Sequence, residues 1–190
     1  MPVQRTYLSY GEMNLINNFR GFWLDLARWG RESLISIASG FGNFEAVTNR
    51  LFRVPVNLGD LLRLIFGTEA AESIQNPLLI HIVTMINIFR AQKDGNSQAV
   101  NENTVLVYQN ADEIARILSQ MNPFWNETQW RNLLYNYISL TLEESTAMLS
   151  GDYARAVDIY DRISNFTTII GDYTANGVIQ YLTVRSPQVT

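Results

Sequence analysis

Residues 122–153 read NPFWNETQWRNLLYNYISLTLEESTAMLSGDY, and this stretch decides the fold class. Asn122-Pro123 stops the helix that precedes it, because proline disfavours helical backbone in the residue before it. Asn126 followed three residues later by Gln129 has the form of a capping box, which opens a helix by satisfying its first free N–H groups. Trp130, Leu133, Leu134, Tyr137, Leu140 and Leu149 then follow at helical spacing, so this helix has one apolar face to bury. Gly151 stops it and Asp152 caps the next. Two helices joined by so short a turn pack antiparallel.

The same pattern extends in both directions. Downstream, Tyr153, Val157, Tyr160, Ile163, Ile170 and Tyr173 continue a seam towards Leu182. Val178 to Val184 is rich in β-prone side chains, but as the continuation of that seam it is expected to be helical rather than an extended arm. Upstream, Asp94-Gly95-Asn96-Ser97 marks a turn, and a helix over 99–121 is carried by Val107, Ile114, Ile117 and Leu118. Before it, residues 69–93 place Ile74, Leu78, His81, Met85 and Ile88 on one stripe, with Gly67 as a stop and Thr68 as the N-cap. Pro77 is expected to kink or split this helix, since it lacks a donor.

The first long helix is predicted over 11–39 from Leu15, Phe19, Phe22, Leu26 and Trp29. Gly40, Gly42 and Asn43 interrupt it. A short helix over 44–53, closed by Pro55, and another over 58–66 complete the chain. With no strand-period segment, these elements have only each other to bury against. The expectation is an all-α single domain over 1–190: an up-and-down bundle of four long helices with two short ones after the first, and extended tails at 1–10 and 185–190.

Composition narrows the chemistry. There is no cysteine and one histidine, His81, which removes disulfide and thiol chemistry and leaves one imidazole. Hydrophobic residues make up 47% of the chain, enough for a sizeable core. The net charge of −4 and the absence of clustered Lys and Arg argue against nucleic acid as a partner. No segment approaches the ~18 uncharged apolar residues of a membrane span, and the N-terminus lacks the basic and apolar regions of a signal peptide. The expected location is cytoplasmic, with a spore or cell surface as the alternative.

No Glu-x-x-His motif, glycine-rich phosphate loop or nucleophile beside a base occurs. His81, between Ile80 and Ile82, reads as a hydrogen-bonded core histidine, and a metal role would need partners, Tyr137 being the nearest candidate. Asp158 with Asp161 and Glu143 with Glu144 offer carboxylate pairs. Asp158 is expected to pair with Arg155 or Arg162, and Asp112-Glu113 with Arg116, as solvated helix faces. Trp125, Trp130 and Tyr135 are candidates for an interaction surface, because Trp and Tyr combine contact area with a polar handle, while helical spacing favours core packing for most of the aromatic residues.

The strings Phe22-Trp23, Ala46-Val47-Thr48-Asn49-Arg50-Leu51, Asn110-Ala111-Asp112-Glu113-Ile114, Asn122-Pro123-Phe124-Trp125 and Gly151-Asp152-Tyr153 resemble small all-helical proteins of spore-forming bacteria, often labelled acetylglutamate kinase. The kinase label does not suit a chain without a strand-rich α/β pattern. The resemblance implies a ferritin-like metal-binding bundle, with ligand positions that fall here on Leu24, Leu26, His81, Asn136 and Tyr137. Leucine has no donor atom, so the implied centre is largely lost. The function expected is therefore a non-enzymatic structural or protein-interaction bundle, self-assembling as a homo-oligomer or with another protein and needing no cofactor. The alternatives are a metalloprotein holding iron, manganese or zinc at a degenerate site around His81, and a carrier of an apolar ligand.

Overall fold

The computed structural model describes residues 7–185, and among these the regular elements are seven helices with no strand. They are α1 (Tyr10–Ser39), α2 (Phe44–Leu51), α3 (Arg53–Phe66), α4 (Thr68–Lys93), α5 (Ser97–Met121), α6 (Glu127–Leu149) and α7 (Tyr153–Arg185). The all-α expectation holds. Five helices are long rather than four, so the arrangement differs from a simple four-helix bundle. α4 and α5 form a hairpin beside α6 and α7. The expected tails fall mainly on 1–6 and 186–190, outside the described residues.

Neighbours follow chain order from α4 to α7, and α1 closes the ring by packing most extensively on α7. Arg20 meets Asp172 and Arg31 meets the Ala156 carbonyl, so α1 and α7 run antiparallel. Trp23 meets Trp130 and Arg31 meets Glu144, so α1 and α6 run parallel. α3 lies against α4, and α2 against α1.

The caps are written locally. Ser9 and Glu12 form a reciprocal capping box for α1. Asn126 accepts from the Gln129 N–H as predicted, but its own N–H donates to the Tyr173 hydroxyl at 2.7 Å, so a residue of α7 supplies the second half of the box. Asp152 accepts from the Arg155 N–H. Three boundaries differ from the sequence reading. Gly67 itself is the N-cap of α4 and Thr68 is already helical. Pro55 sits in the first turn of α3 rather than closing α2, a position where its missing N–H costs nothing. Pro77 leaves α4 undivided. Its carbonyl accepts from the Asn110 amide of α5 at 3.0 Å, so a neighbouring helix holds α4 at the point where its own ladder is interrupted.

Gly171 sets how closely α1 and α7 approach. A Cβ placed there would lie 2.7 Å from the Arg20 Cα, and backbone cannot swing aside as a side chain does. Gly171→Ala is expected to lower the unfolding free energy by about 1–3 kcal/mol in urea titrations through overpacking. Gly21→Ala in α1, where nothing lies within 4 Å, should instead raise it by about 0.5–1 kcal/mol.

Candidate functional site

Four helices converge on a small internal cavity of about 30 Å³. Leu26, Gly30 and Ser33 of α1 line it, with His81, Ile82, Met85, Ile86 and Phe89 of α4, Tyr137 and Thr141 of α6, and Leu51 of α2. The register of each apolar stripe delivers these residues. On α4, Leu78, His81, Ile82, Met85 and Phe89 repeat at three and four, so His81 can point nowhere but inward. The volume suits about one or two water molecules.

His81 is 3% exposed, and its ring centroid lies 6.4 Å from that of Tyr137. Burial pushes the imidazole down to about 4, so it is neutral at pH 7; the adjacent Asn110 side chain opposes the shift weakly. Asn110 faces it without completing a hydrogen bond, since His81 Nδ1 and Asn110 Oδ1 both stand without a partner. Burial, reinforced by the charge of Glu144, drives the Tyr137 hydroxyl well above the ordinary tyrosine range, which disfavours a phenolate.

Beyond Tyr137 on the same face of α6 lies Glu144, 2% exposed and paired with Arg31 of α1. Arg31 also donates to the Ala156 carbonyl at 3.2 Å and stacks on the Tyr160 ring, 4.4 Å from its centroid. One guanidinium thus ties α1 to α6 and α7. Burial pushes the Glu144 carboxyl up to about 7, against the opposing pull of Arg31.

The implied metal centre does not fit these side chains. Leu26, His81 and Tyr137 do share the cavity, whereas Asn136 is exposed and Leu24 sits half-buried outside it. Among the described residues no group of three or more His, Asp or Glu side chains is placed to hold a metal ion. One neutral imidazole, a tyrosine held protonated and two hydroxyls, Ser33 and Thr141, make a weak donor set for iron, manganese or zinc.

The interaction candidates divide. Trp125 and Trp130 are 2% and 0% exposed, so the expectation of a tryptophan contact surface is corrected. They belong to an interior aromatic stack: Trp130 has ring centroids at 6.0 Å from Trp23, 5.7 Å from Trp125 and 5.1 Å from Tyr173. Tyr135 is half-buried, donates to Asp112 at 2.9 Å and packs edge-on to Tyr108. The pairings of the carboxylates differ in part from those expected. Arg155 and Arg162 both reach Glu143 rather than Asp158, and Arg131 takes Asp112, while Arg116 does pair with Glu113.

The two buried titrating groups have opposite effects on stability. His81 is depressed from 6.5 to about 4, so the unfolded chain binds its proton more tightly, and stability is lost as pH falls from 6.5 to 4. Glu144 is raised from 4.5 to about 7, so the folded chain binds its proton more tightly, and stability is lost as pH rises from 4.5 to 7. The slopes cancel over their shared window. Relative to the unaltered chain, His81→Met is therefore expected to gain about 3 kcal/mol in unfolding free energy between pH 7 and pH 4, read by urea titration at each pH.

Comparison of the chain with known protein families, with curated proteins and with solved structures gives no match.

Proposed function

We propose that this chain is a structural or protein-interaction bundle that acts by self-association, without catalysis and without a cofactor. The observation that carries the proposal is the contrast between inside and outside. The interior is filled by packing around His81, where the cavity is only about 30 Å³, and the roomier clefts, of about 450 and 600 Å³, are open at the surface. The exterior carries large apolar side chains such as Tyr7 at 87%, Leu64 at 85% and Phe41 at 76% exposure. These side chains lie before α1, in the turn after it and on α3, and exposed apolar surface is what association buries. The small cavity also weighs against the apolar-carrier reading.

The competing reading is a ferritin-like metalloprotein, and in its favour His81 and Tyr137 share one cavity. It lacks a third strong ligand. Among the described residues no helix is long and apolar enough to cross a membrane. A place in the cytoplasm is proposed, and the alternative of a spore or cell-surface assembly rests on the resemblance in sequence.

Static light scattering over a concentration series tests the proposal. The weight-average mass is expected to exceed that of one chain and to rise with concentration until a defined oligomer saturates. A mass fixed at one chain into the millimolar range would overturn it.

A further inference from the structure

The chain has a single lysine, Lys93, and it stands in the last turn of α4. Its ammonium group donates to the Ile37 carbonyl of α1. Ile37 lies in the last turn of that helix, where carbonyl groups have no partner within the helix. The Gly40 N–H takes the Ser36 carbonyl, but α1 has no basic residue in its own last turn to face the negative end of a 30-residue helix. Lys93 supplies that charge from another helix. Three residues earlier, Arg90 stacks on the Phe44 ring at 4.5 Å, and Phe44 is the first residue of α2. The two cations therefore hold both sides of the turn from Gly40 to Asn43. Within the turn Gly40 and Gly42 take positive φ, and Asn43 stands at the N-cap of α2 without a side-chain capping bond.

We propose that Lys93 is an acylation site, and that losing its charge frees the end of α1 and the turn into α2. The side chain is exposed even while its amine is engaged, so a reagent reaches it without unfolding the bundle. The co-reactant is an acyl phosphate. Once the ammonium has given up a proton, the Nζ lone pair attacks the acyl carbonyl carbon; a C–N bond forms, the C–O bond to phosphorus breaks, and phosphate leaves with the electron pair. The amide that results carries no charge and no longer meets the end of α1 as a cation. Nearby cations are already committed: Arg90 to Phe44, and Arg50 in the last turn of α2 to Asp25 and Trp29. The remaining positive side chains are arginines, which stay protonated and do not compete as nucleophiles. One modification thus acts on one junction.

The test incubates the folded full chain with acetyl phosphate, locates acetyl groups by peptide mass spectrometry, and follows amide hydrogen exchange, with Lys93→Gln and Lys93→Arg alongside. Far-UV circular dichroism checks that every sample is folded. Lys93 is expected to take an acetyl group. The Gly40 and Val47 amides, which donate to the Ser36 and Asn43 carbonyls on either side of the turn, are then expected to exchange about 10-fold faster or more, in the acetylated chain and in Lys93→Gln alike. Amides in the middle of α6 should not change. Lys93→Arg keeps the charge and should exchange as the unaltered chain does. A folded chain in which acetyl phosphate leaves Lys93 unmodified would overturn the site. Acetylation at Lys93 with Gly40 and Val47 exchanging as before would overturn its effect on the junction.

Discussion

Arg31→Met is expected to lower the unfolding free energy by about 3–5 kcal/mol at pH 8, the largest loss from any single charge in the chain. The guanidinium is the partner of a carboxylate that is 2% exposed, and among the described residues no other cation is hydrogen-bonded to Glu144. Removing Arg31 leaves a buried charge uncompensated. The variant should therefore protonate Glu144 to fold, and protonation is easier at low pH. Its deficit relative to the unaltered chain is expected to shrink as the pH is lowered from 8 to 5. Arg31→Met combined with Glu144→Met should recover most of the loss, because two apolar side chains of similar length replace two desolvated charges. Urea titrations of the single and double variants at both pH values give the coupling directly. Equal losses in the single and double variants would mean that the pair does not act as a unit.

Trp130→Ala is expected to cost about 3–5 kcal/mol, since the indole is 0% exposed and touches three other aromatic rings. Trp130→Phe should cost much less. The indole N–H of Trp130 is buried without a partner, so phenylalanine removes volume but breaks no hydrogen bond. Trp125 offers the contrast, because its indole N–H donates to the Thr174 carbonyl at 3.3 Å and Trp125→Phe loses that bond. Unfolding midpoints for the three variants check the order. A Trp130→Ala chain as stable as the unaltered one would place this side chain outside the core.

The elements themselves are legible in the sequence because each carries its own punctuation. Asn126, Asp152, Gly40 and the turn at Asp94 to Ser97 mark boundaries through local hydrogen bonds and backbone conformation, and the structure keeps them. Pro55 and Pro77 are harder, because the same missing N–H ends one helix, begins another or is tolerated, depending on tertiary partners such as Asn110. Periodicity reveals which face is buried and not what it meets: Trp130 falls on the apolar stripe of α6, but its contacts with Trp23, Trp125 and Tyr173 emerge only once the helices are assembled.

The polar interior was partly written in the register. Glu144 falls three residues after Thr141 and seven after Tyr137, on the buried stripe of α6, and Arg31 falls four after Ala27 on that of α1. Two opposite charges in apolar register on different helices are a signal of a buried pair. Asn110 carried no such signal, since its role depends on the distant Pro77 and His81. Of the exposed apolar residues at the two chain ends, Tyr7, Leu8 and Tyr10 fall in the predicted tail, whereas Met13, Leu182 and Val184 fall within predicted helices.

The central claim, a bundle that works by associating with itself and holds no metal, is tested most directly by native mass spectrometry of the full chain purified without chelator. The predicted spectrum contains an oligomer at integral multiples of the bare-chain mass. A monomer carrying a fixed additional mass of iron, manganese or zinc, lost on His81→Ala, would contradict it.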